Sequence, residues 1–417
     1  TMKETITLDM LQTAGIGALA LVFGMTLTRK TPWLKKFCIP SPVSGGIVFS
    51  LITLAIYTFC DVEISFDGTL KDVFMLAFFT SVGFQSNFRT LRQGGKTLVV
   101  MLALLVLIIS LQNLMPLLIT KAMGVNPLVG MAAGSISMAG GHGTAGGFAS
   151  VLEGMGLKGA GTVAMAAATF GLIAGSVIGG PVAERLIQRH LTSEQLEPKD
   201  YEVDPALAGF ESDESLPQGH AKHMSDDEHE FHQYATATYA LLIVMALGTV
   251  ASKLLQSTGI TFPTYFGALV MAAITRNIME LTPYSHKLPM EKIVSTGNIC
   301  LSLFLGMAMI SLKLWELESL ALPLITILVA QVAMIILLTY FVAFRMLGHD
   351  YDAAVLVAGI CGFSLGATPN AMANMSAVCY KYHYSTKPFL IVPIIGAMFV
   401  DLINTGVITV FLNLISL

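Results

Sequence analysis

Apolar positions in this chain come in long unbroken blocks, not in the alternating or one-sided patterns of a soluble fold. Ten blocks lie near 7–28, 38–60, 71–88, 97–120, 160–183, 234–256, 260–279, 292–312, 319–343 and 388–413. Each is long enough as helix to cross a hydrocarbon layer of ~30 Å, which takes about 20 residues. The first is too long, and too polar at its start, for a cleaved leader, and is read as a retained helix. Two further stretches, 126–150 and 352–379, are apolar yet crowded with glycine and hydroxyl residues. Irregular backbone at membrane depth is tolerated only where protein or a watery cavity satisfies it. Both stretches are therefore read as re-entrant hairpins, with tips near 140–144 and 366–370.

The order of elements repeats. Pro42 aligns with Pro263 at an offset of 221 residues, and Ala133, Gly141 and Gly171 align with Ala358, Gly366 and Gly396 at 225. Each half, 1–184 and 234–417, then holds five spans and one hairpin, and because five is odd the second copy must lie inverted. The expected fold is an all-α multi-pass membrane protein of two inverted-topology repeats. That is the layout of secondary transporters, whose site lies near the midplane where broken helices meet. With the amino terminus outside, the inner loops hold 17 of the 23 Lys and Arg, the bias of a cytoplasmic face, and both termini face out. The segment 185–233 is the expected cytoplasmic linker, with 12 acidic residues. Its His220, His223, His229 and His232 form two HxxH pairs that could hold a divalent metal, but no closed ligand shell accompanies them, and a solvated linker is the reading preferred.

Composition sharpens this picture. The 417 residues are 54% apolar and 12% charged, about half the charge of an ordinary soluble domain, with a mean hydropathy of +0.72. A net charge of −4 leaves no basic face for nucleic acid. The five cysteines show no metal or disulfide spacing, so no cofactor is expected.

Against that apolar background the candidate site stands out. Asp401 is the clear ionisable residue deep within a span, and an intramembrane carboxylate marks an ion or substrate pathway. Asn404 shares its helical face and adds an oxygen suited to a hard cation. The first hairpin tip offers Ser135, Ser137, Gly140, Gly141, His142, Gly143 and Thr144; the second offers Ser364, Thr368, Pro369, Asn370 and Asn374. Half-helix amino termini at such breaks favour an anionic or zwitterionic substrate, and carboxyl ends favour a cation. Thr80, Ser81 and Asn298 sit mid-span and could line the same cavity as sodium ligands. The hairpins, with the third and last spans of each half, are expected to move against a scaffold containing the second spans.

Five segments carry a resemblance: IPSPVSGG at 39–46, MLAFFTSVG at 75–83, AGGHGT at 139–144, SLFLGMAMISLKLWEL at 302–317 and CGFSLGATPNAMANM at 361–375. The chain resembles the bacterial sodium/glutamate symporter family over almost its whole length, the linker excepted. The resemblance implies uptake of L-glutamate across the cytoplasmic (inner) membrane, with sodium as the coupling ion, by a homodimer working as an elevator. It also implies that the two tips and Asp401 with Asn404 form the site, Asp401 either pairing the ammonium or ligating sodium. Other readings are a sodium/proton exchanger resting on Asp401 alone, a symporter of another small carboxylate, an intramembrane hydrolase using His142 with Ser137, and a channel. The hydrolase lacks a third orienting group, and inversion of the repeats favours alternating access over a continuous pore.

Overall fold

Without water, backbone amides must bond within their own segment, so continuous apolar sequence folds as helix. The computed structural model describes residues 4–37, 39–86, 95–191, 224–257, 263–282 and 288–416. In chain order the elements are β1 (Glu4–Leu8), α1 (Met10–Lys30), α2 (Pro32–Lys36), α3 (Ser41–Phe59), β2 (Val62–Phe66), α4 (Thr69–Gln85), α5 (Gly95–Met123), α6 (Pro127–Ala132), α7 (Gly141–Gly154) and α8 (Ala160–His190). There follow α9 (Met224–Gln256), α10 (Phe266–Glu280), α11 (Met290–Ile310), α12 (Ala321–Met346), α13 (Tyr351–Leu365), α14 (Thr368–Lys381), α15 (Thr386–Met398) and α16 (Val400–Ser416). Among the described residues seven helices are long and apolar enough to span a membrane: α1, α3, α5, α8, α9, α11 and α12. The pair α15 and α16, bent by 48° at Phe399, makes an eighth if counted as one span.

Ten spans were expected, and two fall short. The stretch 71–88 forms α4 of 17 residues, and 260–279 yields α10 of 15. α4 ends where Ser86 leaves the helix, its hydroxyl donating to Met398 O (3.2 Å) and its carbonyl accepting from Asn277 Nδ2 (2.8 Å). Pro263 and a turn through Tyr265 delay the start of α10. The fold also departs from all-α: β1 and β2 form a short parallel pair in register Glu4↔Val62, joined across the α1–α3 helix pair as parallel strands require. The histidine-rich linker lies outside the described residues for His220 and His223, and the side chain of His229 is likewise not described.

The helices pack in two groups. α1, α3, α4, α9, α10 and α11 pack on one another, and α5 to α8 with α12 to α16 form the other. The third spans, α4 and α11, therefore sit with α3 and α10 and not behind the hairpin segments; the fourth spans, α5 and α12, take that place. Close packing comes from small residues: a side chain at Gly24 would strike Ser41 O of α3, and one at Gly45 would strike Ala20 O of α1. Apolar side chains such as Leu19, Val22, Leu242, Leu247, Ile325 and Val329 face outward, as a lipid-facing surface requires. α13 is different, being buried at every residue and apolar except near its ends, where Asp352 accepts from Ser385 Oγ and Ser364 donates to Ile360 O, the pattern of an interior helix.

Residues 127–154 fold back on themselves. Gly130 lies beside Pro116 and Gly134 beside Asn113, so the chain runs inward along α5; Gly146 beside Met165 and Gly161 beside Ala149 show α7 running out again along α8. Residues 351–381 do the same from the opposite end. Gly362 abuts the backbone of Ala371, Gly359 lies beside Met375, and Gly171, Gly175 and Gly179 of α8 receive Leu365, Gly362 and Asn374.

Candidate functional site

The two folded-back segments meet at the middle of α8. Gly141 starts α7 with φ +58, a left-handed conformation that favours glycine, and a Cβ there would lie 3.1 Å from Gly366 O at the other tip. Beside this meeting point is a cavity of about 210 Å³. Residues 139–143 and 366–370 form its two tips, Leu172 of α8 and Gly396, Val400 and Asp401 its back. Pro40, Phe78, Leu301 and Leu305, from the other helix group, close the front. Pro40, Leu301 and Leu305 also line an adjoining space that contains Asn298.

Three helix amino termini converge here, those of α7 at Gly141, α14 at Thr368 and α16 at Val400. Their free amides and partial positive charge favour anionic groups. Asp401 stands in the first turn of α16, just past the bend at Phe399. Its Oδ1 accepts from Thr144 Oγ1 at 3.3 Å. One turn on, Asn404 Nδ2 donates to Ser135 O (3.0 Å), while its Oδ1 is buried with no hydrogen-bond partner among the described residues. A buried acceptor left bare calls for a ligand, an ion or a water. The Oδ1 of Asn370 is in the same condition, its Nδ2 donating to Leu172 O (2.8 Å) and Ser176 Oγ (2.9 Å).

Other polar groups at the tips are committed to holding them. Asn113 of α5 brackets Ser135, accepting its N–H at 3.1 Å and donating to its Oγ at 2.8 Å. Ser137 Oγ donates to Ala164 O (2.8 Å), Ser364 Oγ to Ile360 O (2.6 Å) and Asn374 Nδ2 to Gly175 O (2.7 Å). His142 Nε2 lies 3.0 Å from Thr169 Oγ1, whose proton goes to Met165 O, so the imidazole donates.

Of the residues expected at the site, Gly140, Gly141, His142, Gly143, Thr368, Pro369, Asn370 and Asp401 line the cavity. Thr144 and Asn404 adjoin it through their hydrogen bonds. Ser135, Ser137, Ser364 and Asn374 lie one layer behind. Thr80 and Ser81 turn their hydroxyls to Leu76 O and Phe78 O (both 2.7 Å) and line no part of it. Sequence reasoning passed over Thr169, the front wall of Pro40 and Phe78, and Tyr265. Tyr265 is fully buried, stacks on Phe79 at 3.8 Å and brings its hydroxyl within 3.5 Å of Thr405 Oγ1. An aromatic residue in an apolar block gives no local signal of such a role; Pro40 and Thr169 gave only their residue types.

Residues 6–384 match the family model described as Sodium/glutamate symporter. The chain is 39% identical over 410 residues, 98% of either chain, to the sodium/glutamate symporter of Escherichia coli (strain K12). It is 37% identical over 408 residues, 97% of this chain and 98% of the relative, to that of Haemophilus influenzae. Among solved structures, a sodium proton antiporter from Methanocaldococcus jannaschii aligns with 97% of this chain and 94% of its own at a TM-score of 0.43 and 14% identity, too distant to bear on the site. With a family model over nearly the whole chain and relatives this similar from end to end, the chain belongs to the sodium/glutamate symporter family.

Proposed function

We propose that this integral membrane protein takes up L-glutamate with sodium, by alternating access at the cavity between the two tips. The observation that carries the reading is the convergence of three helix amino termini and one carboxylate on a single 210 Å³ space. Amides at Gly141 and Thr368 suit the two substrate carboxylates. Asp401 and the bare Oδ1 of Asn404 suit sodium, with Thr144 positioning the carboxylate. His142, held by Thr169, presents its ring to the cavity wall.

The mechanism rests on reading 1–184 and 234–417 as two inverted repeats; the linker expected at 185–233 is entered from both sides by helix, α8 running to His190 and α9 starting at Met224. In favour of the repeats, α1 packs on α3 as α9 packs on α10, and α3 packs on α11 as α10 packs on α4. The helix group that holds both hairpins would then slide as an elevator against the other, in a homodimer of the bacterial inner membrane with both termini outside.

The test is labelled L-glutamate uptake by purified protein in liposomes. Accumulation driven by an inward sodium gradient, and by neither potassium nor protons alone, is the expected result. Sodium flux without any need for glutamate would overturn it in favour of an exchanger.

A further inference from the structure

A second cavity, of about 200 Å³, lies at the carboxyl-terminal end of α7, between the start of α8 and the chain that follows α11. Its walls carry both signs of charge: Lys71, Lys313, Glu153 and Glu316. Lys313 is pinned, its Nζ 2.7 Å from Glu63 Oε1 and its N–H donating to Thr162 Oγ1 at 3.1 Å. Among the described residues no ion pair involves Lys71, Glu153 or Glu316. The cavity thus offers the Lys71 ammonium and two carboxylates with no ion pair within 4 Å among the described residues, Glu316 feeling Lys313 and Lys158 and Glu153 feeling Lys313 only from farther off.

A seam between α7 and α11 runs from it toward the central cavity. On α7, Gly143 lines the central space and Gly146 and Ala149 the second; on α11, Leu301 and Leu305 line the central and Ala308 the second, with Leu312 just past the helix end. Three residues of helix, about 4.5 Å, separate the two on α7. The step is filled by Phe304, fully buried, whose ring occupies the notch that Gly146 leaves open, against Met165.

We propose that this second cavity is a binding site for a free amino acid in its zwitterionic form, placed at the mouth of the seam that Phe304 closes. A carboxylate of the ligand pairs with Lys71 and its ammonium with Glu153 and Glu316, helped by the negative carboxyl end of α7. An anion without an amine would meet the two glutamates unpaired, which disfavours it. As a waiting position for the transported amino acid, the site rests on reading the central cavity as the transport site.

The chain supplies its own reporter. It has two tryptophans, and Trp315 stands between Lys313 and Glu316, stacked on Tyr57 at 3.8 Å. Trp33→Phe leaves Trp315 as the one indole. In this full-length variant, reconstituted in liposomes, L-glutamate is expected to change Trp315 fluorescence saturably, and glutarate, which lacks the amine, is not. Asp401→Asn should preserve the change. Lys71→Gln and Glu153→Gln should each weaken half-saturation about tenfold, with Lys71→Arg restoring it. The proposal is overturned if no saturable change occurs, if Asp401→Asn abolishes it, or if Lys71→Gln and Glu153→Gln both leave it intact. Sodium-driven uptake by the same vesicles separates the two readings. Uptake without a Trp315 signal removes the second site alone, and a signal without uptake removes the transport reading while the second site stands.

Discussion

The two tips that meet at Gly141 and Gly366 are built in opposite ways. In the second, α13 and α14 are regular helix to either side of Gly366 and Ala367, and their contact is close enough that Gly362 touches the backbone of Ala371. In the first, α6 stops at Ala132, residues 133–139 run as successive turns, and Gly141 at φ +58 begins α7. Their side chains differ likewise. Asn370 and Asn374 commit their amides to carbonyls of α8, fastening one rigid group. Thr144 and His142 bond other side chains, Asp401 and Thr169, which can exchange a partner for a ligand without stripping a backbone carbonyl. The second tip is the more firmly seated, and the first is the freer to exchange its side-chain partners.

The largest effect should come from Asp401→Asn. Removing a charge that a partly buried site is built around costs ~3 kcal/mol, or about 100-fold, and initial rates of sodium-driven uptake in liposomes should fall by that much. Two alanines then set the seated tip against the freer one. Gly362→Ala overpacks the α13–α14 contact at ~1–3 kcal/mol, so the melting temperature should drop while half-saturating glutamate in the surviving protein stays the same. Gly141→Ala forces a side chain into a left-handed conformation at ~1–2 kcal/mol; uptake should slow about tenfold with half-saturation by sodium or glutamate displaced. If both alanines act only on melting, the contrast between the tips is wrong.

Asn374→Ala removes two buried hydrogen bonds, to Gly175 O at 2.7 Å and Ala358 O at 3.4 Å, about 1 kcal/mol for the shorter, and should lower thermal stability without moving half-saturating sodium. The smallest expected effect is that of Thr144→Val, which loses the bond to Asp401. Half-saturating sodium should rise about fivefold with melting nearly unchanged, measured by uptake against sodium concentration.

What could be read ahead of the structure was whatever broke a uniform background. Glycine and hydroxyl clusters interrupt apolar runs at both tips, and Asp401 with Asn404 interrupts the last one, so these positions announce themselves without knowledge of their neighbours. What could not be read was pairing. Thr169 beside His142, Phe304 in the notch of Gly146 and Tyr265 against Phe79 are ordinary residues made consequential by which helix lies opposite. The grouping of α4 and α11 with α3 and α10 was missed for the same reason: polar residues mid-span suggested a cavity, yet the hydroxyls of Thr80 and Ser81 are satisfied by their own helix. The β1–β2 pair escaped notice because five-residue strands beside long apolar helices carry little pattern of their own.

Thr144 and Asp401 are 257 residues apart in the chain yet share a hydrogen bond. A ribosome therefore makes the first hairpin long before the helix that completes its surroundings. Until α16 arrives, the hydroxyl of Thr144 lacks its partner Asp401, and the carbonyl of Ser135 keeps only the N–H of Gly140. An unmet polar group in hydrocarbon costs several kcal/mol. Burial of the Thr144 hydroxyl at its final depth is thus favoured once the last helix is in place, which ties completion of this site to completion of the chain.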